Sequence, residues 1–324
     1  MKADQIKTSF LESSKRRLEF LKVDLNKASS RNKNDINQHI IDKYLNLINE
    51  KEIIFHDQVD APLDIKIYDI SELESDISLL LEDVVLNEKD CDNLYSTLKA
   101  IFYEIGYLFV FYPAIQLMSS QYQTFQEVFF IGVPIGILYE KKYFPLVLHE
   151  IGHIILDKGE FTKFTEAITG EIDRMKQRAM FPSNLDNINL RLLNRAKLYE
   201  RLSKPWLSEL VSDMFGAYMA GTYYLEAFFL YQLNKRYFEE IDDHPTNYLR
   251  YIYLKNYLIK TKSMDASNDE LESLVNTNSN VDSRFKLLGE IQYQEYIFEG
   301  FRIEIKNKVY LDSIKKKITK LLMT

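Results

Sequence analysis

The pentad His149-Glu150-Ile151-Gly152-His153 sets the tightest constraint on how this chain folds. On a helix of about 3.6 residues per turn, positions four apart stack on one face, so both imidazoles can reach a single point. The local sequence predicts such a helix. Pro145 suits a first helical position, and the run from Leu146 to Leu156 holds no breaker beyond the tolerated Gly152. At about 100° per residue, Val147, Leu148, Ile151, Ile154 and Ile155 gather on one side. His149 and His153 then lie on the other, where a cleft is expected. Two imidazoles with a carboxylate beside them are donor types that hold zinc and move protons. Two histidines satisfied on a surface or in a core remain the plain alternative at this stage.

A catalytic zinc takes three protein ligands and keeps a fourth position for water, which calls for a third donor. Ile154, Ile155, Leu156 and Asp157 follow the pentad, without the third histidine of the metzincin spacing. Much later, Pro205 to Ala220 reads as a second helix, with Ser203 as a cap and Pro205 in the first turn. Glu209, Asp213, Gly216 and Ala220 share one face of it, two carboxylates followed by small residues that let a neighbouring helix approach. A solvated acidic stripe would give the same spacing. Leu207, Leu210, Val211, Met214 and Phe215 argue against that, because they make the helix largely buried, and buried carboxylates need a metal, a partner or a hydrogen bond. Glu209 is therefore the expected third ligand. Asp213, one turn on, is placed to accept the second ring N–H of a ligating histidine and fix its tautomer.

With HExxH followed on a later helix by E-x-x-x-D, the chain resembles the gluzincin zinc metallopeptidases. His244-Pro245-Thr246-Asn247-Tyr248-Leu249-Arg250 resembles the H-P-x-x-x-x-R element of the CAAX prenyl protease and HtpX-type family. The resemblance covers about residues 127 to 255. It implies His149, His153 and Glu209 as zinc ligands, Glu150 as general base, Asp213 as orienter, and His244 with Arg250 as groups that assist the oxyanion and brace the site. A helix-start role for His244 beside Pro245 stays open. Tyr218 or Tyr248 is a further candidate oxyanion donor. The residues from Glu127 to Tyr139, rich in aromatic and β-branched side chains, carry Pro134 and so suit an edge strand. In gluzincins such a strand pairs with an extended peptide substrate.

The membrane part of that family does not carry over. The most apolar stretches, Ile105 to Met118 and Val128 to Tyr139, are broken by prolines and fall short of the roughly 20 residues a spanning helix needs. Met1 to Val23 mixes lysines, arginines and glutamates where a cleaved signal would be apolar, so a cytoplasmic location is expected. The single Cys91 reads as an ordinary small apolar residue. A net charge of -7 speaks against a general nucleic-acid binder. The basic stretch Lys176, Arg178, Arg191, Arg195, Lys197 and Arg201 reads as a solvated helical face.

With 46% hydrophobic residues and only 10 glycines and 7 prolines, the chain is expected to be mainly α (α+β). The expected plan is a helical N-terminal extension over 1–90, with helices at Gln5–Lys27 and Asp35–Phe55 and a strand at Asp64–Ile70. A zincin-like core over 91–262 follows, with a small sheet and helices at 145–157, Thr162–Met180, Leu185–Leu202, 205–220, Tyr223–Tyr237 and 244–260. A polar connection, Ser263–Ser283, then leads to C-terminal helices within 263–324. The function expected from these residues and the resemblance is that of a zinc-dependent endopeptidase acting on a protein or peptide, either generally or as a regulated effector with one dedicated protein target, with the extensions binding a regulatory partner. The alternative is a catalytically silent helical protein that binds zinc and a partner.

Overall fold

A computed structural model describes residues 3–32, 34–57, 73–84, 93–114, 118–121, 127–134, 137, 141–180, 205–232, 245, 247–263 and 291–323. The strand expected at Asp64–Ile70, the helix expected at Leu185–Leu202, Cys91 and His244 lie outside them. The described chain is mostly helical, with one small sheet. It divides into two compact units, Met1–Tyr139 and Glu140–Thr324. The sheet belongs with the N-terminal helices, and the C-terminal helices belong with the pentad.

The N-terminal unit opens with α1 (Ala3–Arg31) and α2 (Asp35–Asp57). Asn34 caps α2, its Oδ1 accepting the backbone N–H of Ile36 at 2.9 Å, which satisfies a donor the helix start would otherwise leave orphaned. Helix α3 (73–84), α4 (Asn93–Tyr103) and strands β1 (Leu108–Ala114), β2 (Met118–Gln121) and β3 (Val128–Pro134) complete it. Strand alternation splits the core. Leu108, Val110, Val128 and Phe130 face Leu18, Leu25, Ile40, Ile41 and Ile77, whereas Phe109 and Phe111 pack on Phe102 and Tyr95 of α4.

The sheet order is β1-β3-β2, with β1 parallel and β2 antiparallel to β3. The expectation of an edge strand at Glu127–Tyr139 is thereby corrected. β3 is central and is buried from Val128 to Val133, as its unbroken apolar run suits. Pro134 is tolerated because, among the described residues, β2 pairs with Phe129 to Gly132, so none of them on that side needs the missing N–H. A peptide cannot add to β3, whose two sides are already taken.

In the C-terminal unit a 3-10 turn, Lys141–Leu146, holds Pro145 and leads into the pentad helix α5 (Val147–Asp157). Helices α6 (Thr162–Met180), α7 (Pro205–Ala220), α8 (Thr222–Gln232), α9 (Asn247–Lys260), α10 (Ile291–Asn307) and α11 (Val309–Met323) follow. Helix α5 ends in a Schellman turn. Gly159, at φ +76°, donates its N–H to Leu156 and Glu160 donates to Ile155. Among the described residues no helix is long and apolar enough to cross a membrane.

Candidate metal centre

Helices α5 and α7 cross at very short range because Gly152 has no side chain. A Cβ there would lie 2.9 Å from Ser212 Cα, closer than real contacts allow. That approach brings the pentad onto the carboxylate face of α7. The cleft expected over His149 and His153 is therefore filled by α7. His149 is 7% exposed, Glu209 is 7% exposed, and His153 is half-buried.

His149, His153 and Glu209 converge, each offering a ligand atom within 4.8 Å of the others. His149 Nε2 lies 3.0 Å from His153 Nε2 and 3.3 Å from Glu209 Oε2, and His153 Nε2 lies 3.1 Å from Glu209 Oε1. A tetrahedral ion with ligands at about 2.0–2.1 Å separates neighbouring ligand atoms by about 3.3–3.4 Å, close to these separations, in which each ring meets a different Glu209 oxygen. The outer ring nitrogens are both engaged. His149 Nδ1 is 2.9 Å from Asp213 Oδ1, and His153 Nδ1 is 3.0 Å from Ser208 Oγ. For metal binding the Nδ1 protons point outward to these partners, and the two Nε2 atoms face inward, towards each other and an anionic oxygen. Three acceptors at contact distance repel unless a proton or a cation sits among them. The donor set fits a metal ion.

Behind the triangle the network continues through Asp213. Arg250 donates to it twice, from Nε and Nη2 at 2.7 Å each, and Nη1 lies 3.3 Å from Glu209 Oε2. The guanidinium also lies over the Phe228 ring, 5.1 Å from its centroid. The Tyr224 hydroxyl donates to Asp213 Oδ1 at 2.7 Å. Its ring fits because α7 has Gly216 there, where a Cβ would sit 2.3 Å from the ring. The approach of small residues expected on this face is thus filled by an aromatic ring of α8.

Electrostatics follow from the burial. Desolvation pulls the His149 pKa down, but Asp213 and then Glu209 outweigh it, and the metal-free ring titrates at about 10. Burial raises Glu209, yet His149 and then Arg250 drive its carboxyl far below the ordinary range. Asp213, also raised by burial, is brought down to about 2 by Arg250 and His149. Burial first and Asp213 next push the Tyr224 phenol well up, so it stays a donor.

Other sequence expectations fare differently. Glu150 is buried on α5, and no hydrogen bond or ion pair engages it among the described residues. Arg250 places donors on two carboxylates, which suits bracing. Tyr218 is turned away, its hydroxyl donating to Asp312 of α11. The side chain of Tyr248 lies outside the described residues. Tyr224 and Ser208 were not singled out in the sequence. Gly216 was the available signal for Tyr224, since a glycine within a buried helix face marks room for a neighbour. Compared with known proteins, the chain matches no protein-family model, no curated protein and no solved structure.

Proposed function

We propose that the chain is a zinc-dependent endopeptidase of the gluzincin type, with His149, His153 and Glu209 holding the ion. The observation that carries this reading is the convergence of the two Nε2 atoms, 3.0 Å apart, on the Glu209 carboxylate, one on each oxygen at 3.3 and 3.1 Å, backed by Asp213 on one imidazole. Zinc in such a site supplies Lewis acidity, which makes water a competent nucleophile near neutral pH and polarises a carbonyl.

The chain's own residues do the rest. Glu150, adjacent to a ligand and uncommitted among the described residues, takes the proton of the attacking water and returns it to the leaving amine. Asp213 holds the His149 ring with its Nε2 facing inward and raises its basicity. Arg250 keeps both carboxylates ionised and fixes the angle between Glu209 and Asp213. Ser208 sets the orientation of His153. His244 is retained as a candidate oxyanion donor on the strength of the resemblance alone. The substrate class is a protein or peptide, with a dedicated target held through other surfaces of the chain as the narrower form of the reading.

The test is Glu150→Gln against the wild-type chain. Both are expected to bind one equivalent of zinc, while cleavage of a peptide library falls by at least about 10²- to 10⁴-fold in the variant. Zinc in both with no turnover in either would instead support a silent zinc-binding interaction protein.

A further inference from the structure

Three elements carry the candidate centre: α5 with its exit turn, α7, and α9. Each of them is tied to the C-terminal helix pair, which contributes no residue to the centre. At the exit of α5, Glu160 Oε2 accepts from Lys308 Nζ at 2.7 Å and from the Tyr310 hydroxyl at 2.8 Å. Phe161 stacks on Phe301 of α10, with ring centroids 5.5 Å apart and planes within 11°. On α7, the Tyr218 hydroxyl donates to Asp312, and Lys315 Nζ lies 4.3 Å from the centre of the same ring. On α9, Tyr253 and Tyr257 close on Phe298 at 4.8 and 5.6 Å.

The placement of these ties is selective. Glu160 follows the Schellman glycine that ends α5, so a bond to its carboxylate fixes where the pentad helix stops. Tyr218 lies nine residues beyond Glu209 on the same helix, so a bond to its hydroxyl restrains the tilt of α7. Tyr310 and Asp312 stand two residues apart at the start of α11 and connect these helices to one short segment. Metal ligands need placement within about 0.2 Å, and a site on separate helices keeps it only if the helices cannot slide.

We infer that the C-terminal helix pair is a positioning frame for the metal centre, with Tyr310 and Asp312 as the residues that hold α5 and α7 in register. The inference rests on the metal-site reading given above. It assigns the last helices a part in the centre's geometry, where the sequence pointed to a separable extension that binds a partner.

Cobalt(II) is the probe, because its visible absorption reports the geometry of the bound ion. The full chain is compared with Tyr310→Phe, Asp312→Ala and the double variant, each also followed by chemical unfolding. Tyr44→Phe is the control: it removes a buried bond of the same type, Tyr44 to Asp76 at 2.9 Å, in the N-terminal unit. The double variant is expected to bind cobalt about tenfold more weakly, with a shifted visible spectrum, while remaining folded. The control is expected to lose stability and keep both the wild-type spectrum and affinity. Variants that match the wild type in spectrum and affinity overturn the frame and leave the metal centre standing. A wild-type chain that takes up no cobalt refutes the centre itself, and the frame with it.

Discussion

In the N-terminal unit the buried ammonium of Lys99 meets one carboxylate, Asp83, and the Asn37 side chain accepts a further bond from it at 2.9 Å. Asp83 in turn accepts the Phe111 backbone N–H of β1 at 3.3 Å. One positive charge balances one negative, and the group closes on itself across α2, α3, α4 and β1. In the C-terminal unit, among the described residues, two carboxylates, Glu209 and Asp213, meet one guanidinium, Arg250, and the His149 ring, whose raised pKa lets a proton there balance the second charge when no metal is bound. Two imidazole nitrogens face the Glu209 carboxylate. The first cluster is a clamp between secondary elements. The second balances its carboxylates partly with a proton on a metal-binding ring, which a metal cation can replace.

Removing a partner separates the two most sharply. Asp83→Ala leaves Lys99 buried without its carboxylate and is expected to cost about 3–5 kcal/mol in chemical unfolding, with zinc content unchanged. Zinc lost from this variant while it remained folded would erase the distinction. Replacing both members, Asp83→Leu with Lys99→Met, is expected to restore most of that stability, because a buried ion pair is commonly matched by packed apolar groups. The corresponding exchange in the other unit, Asp213→Leu with Arg250→Met, is expected to weaken zinc binding by about 10- to 100-fold whatever its effect on stability. Chelator competition measures this.

The proton on His149 also predicts a pH signature. The metal-free pKa of His149, about 10, lies above its ordinary 6.5. Its contribution to stability is therefore complete below about 6.5 and is lost as pH rises through about 10. Glu209 and Asp213 are depressed, so their contribution holds above the ordinary carboxylate range and fades as pH falls. Metal-free protein is expected to lose stability from about pH 6.5 to 10, and zinc to flatten that decline by taking the proton's place. Identical curves with and without zinc would contradict the proposed exchange. The smallest effect is expected from Ser208→Ala, which removes the bond to His153 Nδ1 and weakens zinc by no more than about tenfold.

What the sequence disclosed was mostly periodic. Helices at Thr162–Met180 and Pro205–Ala220 have the bounds that their caps and apolar spacing predict. The meeting of His149, His153, Glu209 and Asp213 was legible because helical spacing of four residues puts each pair on one face. Sheet order was hidden, since β2 is four residues, Met-Ser-Ser-Gln, without alternation, and its pairing with β3 is made by backbone. Tyr218 and Tyr224 were indistinguishable among 22 tyrosines until Gly216 and Asp312 showed where each ring goes. The burial of the histidine face was also hidden, because it depends on a crossing set by Gly152 and Ser212 from distant parts of the chain.

X-ray absorption at the zinc edge of the loaded full chain tests the central claim most directly. The account predicts one zinc, a shell of nitrogen and oxygen at about 2.0–2.1 Å with the outer scattering of two imidazoles, and loss of that pattern in His153→Ala. A shell without imidazole scattering, or one unchanged by His153→Ala, would contradict it.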